Sequence, residues 1–457
     1  MAADASRPPE GPESANRPDS GGRGEAGSSA LRRVLGGLDA AMLAIGIVVG
    51  TGIFAVPGFV AAELGSPGPI LLIWLVGGAV TLAGALCYAE LAGRFPNQGG
   101  GFLYVLHGFG PFAAFFMGWG SFLVGYPGSS AAIAVVFGTY LAAALGYGSG
   151  FAKGAAIAAV TLVWILNLRG TRFSGSFQTA LTMIKVGALG ALAVAALAVG
   201  PGQWDRLTWD WSWPPVAAFA AAMVGVIWTF DGWENLTVVA GEVGDPGRKL
   251  TRALVGTALF VTLLYLLLNV GYLVLIPFEQ LAGSESAASL AAEQVLGESG
   301  RRLIASLVVV SSFGALFGIA LAAPRFYFAL AEHKLFFATA GRVDPKSGAP
   351  RWGSTALYLI TLVYVATGTF SQILGVYVAI TLLYNVLSFG AIYTLRRRLG
   401  PPEGFRVPLY PFTPLVVIGV SLWVTGSEIF GEPLRTGIGL GVLALAAPAY
   451  ALWKRRA

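Results

Sequence analysis

The chain has 457 residues, 56% of them hydrophobic and only 11% charged, about half the charged fraction of a soluble domain. Together with a mean hydropathy of +0.71, this excludes a water-soluble fold and reads as an all-α polytopic membrane protein. The net charge of +6 does not mark a nucleic-acid binder, because the Lys and Arg residues sit in short loops between apolar runs and form no basic face.

The stretch Met1 to Ser29 is rich in Pro, Gly, Ser, Asp and Glu and has almost nothing to bury, so residues 1–34 are expected to form a disordered cytoplasmic tail. It lacks the apolar run of a secretory signal. Beyond it, about twelve stretches reach the length needed to cross a bilayer. They lie near 38–63, 68–92, 110–145, 151–168, 176–200, 214–240, 250–276, 301–331, 352–369, 371–395, 409–430 and 433–453. Basic residues orient them. Lys153, Arg206, Arg301, Arg302 and Arg435 would face outside and Lys185 and Arg325 lie within spans, while the remaining Lys and Arg, with Lys454, Arg455 and Arg456 at the end, stay inside. Both termini are therefore expected in the cytoplasm, the chain crossing the cell membrane many times. Residues 35–200 and 201–398 would each hold five spans, an odd number, so the second unit enters from the opposite face as an inverted repeat. Residues 399–457 add two spans and a short tail. The single cysteine, Cys87, falls inside a span, and no internal disulfide can form.

Two spans are flawed. In the first, Ile45 to Phe54 contains Gly46, Gly50 and Gly52, with Pro57 just beyond; each interior Gly costs about 1 kcal/mol against Ala. Gly46 and Gly50 could serve as a small-residue packing face, or the helix could be open there. The sixth span is interrupted at Trp228-Thr229-Phe230-Asp231-Gly232-Trp233-Glu234. Interrupted spans at matching positions of two halves point to a transporter site near the bilayer midplane. Opening the first at Val49 to Gly52 would free the N–H groups of Gly52, Ile53 and Phe54 for a carboxylate. Opening the sixth after Trp228 would free the carbonyls of Trp228, Thr229 and Phe230 for an ammonium group. The two sets match the constant part of an α-amino acid and leave its side chain to a separate pocket. Asp231 and Glu234 have the spacing of a capping box, the favoured reading; the alternative for charges at membrane depth is contact with substrate or a proton, and of the two Asp231 is counted among the substrate-binding residues. Lys185 lies mid-span, where it must be paired or snorkel to an interface.

These motifs resemble the amino acid-polyamine-organocation superfamily of permeases, with its LeuT-type 5+5 inverted repeat and broken helices 1 and 6. Gly50-Thr51-Gly52-Ile53-Phe54 is similar to the family's helix 1 break, and Asp231-Gly232-Trp233 to helix 6 of the L-type and bacterial neutral amino-acid branch. Arg94-Phe95-Pro96 through Gly99-Gly100-Gly101 resembles the entry to helix 3. Ser311 to Ala315, Ala323-Pro324-Arg325 and Leu335 to Pro350 resemble helix 8 and the loop beyond. The resemblance implies that Thr51 and Gly52 hold the carboxylate, that Val48 and Trp228 offer carbonyls to the amino group, and that the Trp228 ring gates the site. It implies a side-chain pocket of Val124, Gly125, Ser129 and Ile319, bordered by Tyr377. It further implies that the Lys185 ammonium stands where sodium-dependent relatives bind sodium, against helix 1 carbonyls and Ser311 or Ser312. Animal L-type members tether a partner through a Cys after helix 3; Gly146 to Lys153 has none, so no obligate disulfide-linked subunit is expected.

Small, apolar pocket residues suggest a neutral substrate, taken up by sodium-independent exchange or facilitated transport, with a proton-coupled symporter or an amine or polyamine permease as alternatives. The chain's only histidines, His107 and His333, fall in or beside loops, and one cysteine cannot build a metal site. No enzyme activity, metal or cofactor is expected; the expected partners are a small-molecule amino acid and membrane lipid.

Overall fold

The computed structural model describes residues 35–457 except 200–202, 208–212, 245, 285, 369, 432 and 456–457. The expected tail 1–34 and Arg456 lie outside the described residues. Among the described residues the chain is helical, without strands beyond one isolated bridge, Leu35 to Val243. In order the helices are α1 (Gly37–Val48), α2 (Gly52–Leu64), α3 (Pro67–Arg94), α4 (Gly101–Phe109), α5 (Pro111–Gly120) and, after a π-helical turn at Ser121–Gly125, α6 (Tyr126–Leu145). Next come α7 (Ser149–Asn167), α8 (Thr171–Val199), α9 (Val216–Phe230), α10 (Asn235–Val238), α11 (Pro246–Leu275), α12 (Phe278–Leu281), α13 (Ala287–Leu296) and α14 (Glu298–Glu332). The last are α15 (Arg351–Thr367), α16 (Phe370–Leu399), α17 (Phe412–Gly431), α18 (Pro433–Ala444) and α19 (Ala446–Lys454).

Each apolar stretch picked out in the sequence contains helix among the described residues, and eight helices there are each long and apolar enough to span, nine if the bent pair α1–α2 counts as one. The local causes are plain at the joints. Gly65 takes φ +72° and its N–H donates to the Ala61 carbonyl, closing α2; a left-handed residue at that place suits Gly. Pro67 then opens α3 in its first turn, where a missing N–H costs nothing.

At the first flaw the axis bends by 40° between α1 and α2. The Gly50 N–H folds back onto the Val48 carbonyl (2.7 Å), and the Phe54 N–H donates to the Thr51 carbonyl (3.2 Å). At the second, α9 runs two residues past Trp228 before opening, and the chain turns through Asp231 to Glu234 with Gly232 at φ +109°. Beyond this turn the span continues only as the single turn α10 and a 3-10 turn at Ala240–Glu242. The breaks abut. A Cβ on Gly232 would lie 2.5 Å from Ile47 Cγ2, and one on Gly52 would lie 2.9 Å from the Thr229 Cα. Behind them Trp74, Phe230 and Tyr265 form a buried aromatic knot with ring centroids 5.0 to 6.0 Å apart. Such ring pairs each add about 0.5–1.5 kcal/mol beyond area burial.

Candidate functional site

A cavity with about 950 Å³ of space not filled by atoms, its open mouth included, lies where the two breaks meet. Ile47, Val48, Gly50, Thr51 and Gly52 form one wall and Trp228, Thr229, Asp231, Gly232, Glu234 and Asn235 another. Across from them stand Gly125, Ser129 and Ile133 of the π turn and α6, Ile319 of α14, and Tyr377, Thr381, Tyr384 and Asn385 of α16. Of the residues singled out in the sequence, Val48, Gly50, Thr51, Gly52, Gly125, Ser129, Trp228, Thr229, Asp231, Ile319 and Tyr377 line this space. Ile53, Val124 and Phe230 do not: each is buried in helix packing beside it, Phe230 within the aromatic knot.

The backbone groups differ in detail from the expectation. Phe54 is no free donor, because Thr51 takes its N–H; the N–H groups of Thr51, Gly52 and Ile53 have no backbone partner among the described residues. Thr51 Oγ1 is also buried and unpartnered there. On the acceptor side the Val48 carbonyl receives both the Gly50 N–H (2.7 Å) and the Tyr265 hydroxyl (3.0 Å). Tyr265 Oη also lies 3.2 Å from the Thr229 carbonyl, so one phenol bridges the two breaks. The Trp228 carbonyl accepts from the Asp231 N–H at 3.3 Å. Sequence pattern alone gives Tyr265 no role; the available signal is a tyrosine among the leucines of the seventh span.

The capping box is not formed. Asp231 accepts from the Tyr377 hydroxyl across the cavity instead of capping α10. Glu234 accepts from the Gly232 N–H (3.1 Å) and the Asn235 side-chain amide (3.1 Å). The turn is too tight and the helix after it too short for the reciprocal geometry. Both carboxylates therefore belong to the cavity, where the sequence reading puts Asp231 alone among the residues of the site. None of these lining residues is Lys, Arg or His.

Behind the first break Lys185 of α8 is fully buried and donates to the Gly46 carbonyl of α1. Its neighbours on α8 repeat the attachment: Thr182 donates to the Met42 carbonyl (2.9 Å) and Thr179 to Asp39 (3.0 Å). Ser311 of α14 reaches the Val49 and Gly50 carbonyls (3.1 and 3.2 Å). Ser312 turns away and bonds the Val308 carbonyl of its own helix (2.6 Å). Lys185 and Ser311 thus hold consecutive parts of the same broken helix, from α8 and α14.

Near the α10 end, Arg325 of α14 pairs with Glu242 at 2.7 Å, both buried. His333 Nδ1 lies 2.8 Å from the Ala329 carbonyl and the His107 ring stacks on Phe95, both histidines being exposed. No cluster of His, Cys, Asp or Glu among the described residues could hold a metal ion.

A bundle of membrane-length helices with two interrupted ones meeting at a buried, partly polar cavity defines a membrane carrier of small solutes. The family model for amino acid permeases matches residues 35–427, and the chain belongs to that family, within the amino acid-polyamine-organocation superfamily. It is 31% identical over 432 residues to the serine/threonine exchanger SteT of Bacillus subtilis (strain 168), covering 93% of this chain and 98% of that protein. To the b(0,+)-type amino acid transporter 1 of Mus musculus it is 27% identical, over 89% of this chain and 84% of that protein. To the large neutral amino acids transporter small subunit 2 of Homo sapiens it is 28% identical, over 97% and 84%.

Proposed function

We propose that this permease exchanges neutral amino acids across the cell membrane by alternating access, independently of sodium and without catalysing a reaction. The observation that carries this reading is the cavity between the breaks, where the N-terminal end of α2 at Thr51 and Gly52 faces the C-terminal end of α9 at Trp228 and Thr229. A helix N-terminus favours a carboxylate and a helix C-terminus an ammonium group. Trp228 covers the bound amino acid as a gate, and Gly125, Ser129, Ile319 and Tyr377 border its side chain. Lys185 acts as a tethered cation at the place of sodium, its ammonium on Gly46 working with Ser311 to hold helix 1. The relative SteT, by name a serine/threonine exchanger, supports exchange and a small neutral cargo. In this reading the chain spans the membrane twelve times, with both termini in the cytoplasm. Residues 35–200 and 201–398 form the two inverted units, to which 399–457 are added. It needs no disulfide-linked subunit.

Glu234 favours a second reading, a substrate with a cationic side chain, since two carboxylates line the cavity and no basic residue does. Counterflow of a labelled amino-acid panel in proteoliposomes, at two pH values and with or without sodium, tests both. Exchange of neutral amino acids unaffected by sodium supports the first. Preference for lysine or arginine that Glu234→Gln removes would put the second in its place, and sodium-dependent uptake would overturn the role given to Lys185.

A further inference from the structure

Away from the cavity, the junction of α16 and α17 is a rigid corner with an unused surface. Its anchor is Glu90 near the end of α3, only 1% exposed. Glu90 accepts from Arg396 Nε (2.9 Å) and Arg396 Nη2 and from the Val407 N–H (2.8 Å), with Arg94 3.6 Å away. The Arg396 guanidinium also lies 3.9 Å over the Tyr410 ring. Arg94 donates to the Gly400 carbonyl (2.6 Å), and the Tyr393 hydroxyl to that of Pro411 (2.6 Å). Two residues bound to one buried carboxylate, Arg396 and Val407, thereby pin both ends of the connecting loop.

With Arg396 neutralised by Glu90, the next residues carry surplus charge. Arg397, Arg398 and Arg406 are exposed and form no ion pair among the described residues, Arg406 donating only to the Pro402 carbonyl (3.0 Å). Glu403 is the one carboxylate on the loop. Immediately beside this charge the chain turns apolar side chains outward: Leu409 is 80% exposed, with φ +53°, and Phe412 66%. A leucine held in the left-handed region and pushed away from the protein is unfavourable in water. It suits a lipid interface. From Phe412 an exposed stripe continues down one face of α17 through Leu415, Val416, Gly419 and Leu422. A Cβ at Gly419 would meet nothing within 4 Å, so that face carries a notch between larger side chains.

We propose that this corner binds an anionic phospholipid: its phosphate at Arg397, Arg398 and Arg406, its acyl chains along the α17 stripe and over Gly419. Basic residues at a membrane surface attract anionic lipid, each contributing about fivefold, and the apolar stripe supplies the half of the recognition that a free phosphate ion cannot use. The Glu90 knot keeps the arginines in place without itself being part of the surface.

The test uses the full chain in detergent, titrated with fluorescent phosphatidylglycerol or phosphatidylcholine. Phosphatidylglycerol should bind more tightly, and replacing Arg397, Arg398 and Arg406 together by Gln should weaken it on the order of 100-fold. The same three positions changed to Lys should keep most of the preference, which separates charge from misfolding. Leu409→Ser with Phe412→Ser should weaken both lipids. Equal affinity of the wild type for the two lipids would overturn the proposal, as would an unchanged preference in the Gln variant. Competition by millimolar inorganic phosphate would show a simple anion site and refute it too.

Discussion

The contact between Gly52 and α9 allows a quantitative test of how the first break works. An alanine at Gly52 would place its Cβ 2.5 Å from Thr229 Oγ1 and 2.9 Å from the Thr229 Cα. The hydroxyl cannot simply swing away, being committed to the Gly225 carbonyl at 2.8 Å, and the Cα is backbone, so α2 and α9 must part. Overpacking of this kind costs roughly 1–3 kcal/mol. Because the strain falls on the two helix ends assigned to the amino acid, it should weaken substrate affinity roughly 5- to 150-fold. At Gly50, two residues earlier, the added Cβ would meet Ala315 at 3.5 Å, an ordinary contact, and Gly50→Ala should change affinity little. The assay is binding of a labelled amino acid to purified protein, with thermal melting to confirm folding. A folded Gly52→Ala that binds as tightly as the wild type would refute the carboxylate assignment.

Three further outcomes are expected. Tyr265→Phe removes the hydroxyl shared by the Val48 and Thr229 carbonyls; Val48 keeps the Gly50 N–H, and the buried Thr229 carbonyl loses this donor at a cost of about 1–3 kcal/mol; uptake should slow in proteoliposomes while the melting temperature drops, and no change in either would remove the bridge. Lys185→Ala takes away a charge-assisted hydrogen bond worth about 1.5–3 kcal/mol, so exchange should fall roughly 10- to 150-fold with the substrate panel unchanged; wild-type exchange rates would contradict its role. Arg325→Met strands the buried Glu242 carboxylate and should destabilise by about 3–5 kcal/mol, whereas Arg325→Met with Glu242→Leu should recover much of it. Thermal melts of the two variants check this, and a double variant no better than the single would show that the pair matters for more than charge balance.

Long apolar runs make the helices legible, because crossing a bilayer fixes both length and composition. The breaks are legible for the opposite reason: three glycines in one short run, and two acids in another, contradict their surroundings. Direction is what sequence does not carry here. Once a helix opens, its residues no longer keep to a helical wheel, so a reading by position puts Ile53 and Phe230 in the cavity although they face packed neighbours, and omits Glu234 although it lines the wall. Tyr265, Glu90 and Arg396 act through partners far away in the chain, and no spacing rule connects Val48 to Tyr265 or Glu90 to Val407. The α12 and α13 pair escapes a search for spans because helices of 4 and 10 residues are below spanning length.

The π turn at Ser121–Gly125 works as a rotational offset. In a regular α-helix each residue advances about 100°, so from Met117 to Ile133 positions four apart would drift about 160° and end on the far side. Met117, Ser121, Gly125, Ser129 and Ile133 nevertheless all border one cavity, since the extra residue accommodated by a π turn takes back about 100° of that drift. The third span therefore keeps its face to the substrate by residue count as well as by residue type. Rewinding this turn as regular α-helix with all its residues kept would swing Ser129 and Ile133 about 100° toward other neighbours, whereas deleting one residue leaves fifteen regular steps and the same face on the cavity. The shape of the pocket thus depends on how this one turn is wound, with every side chain of the pocket still present in the sequence.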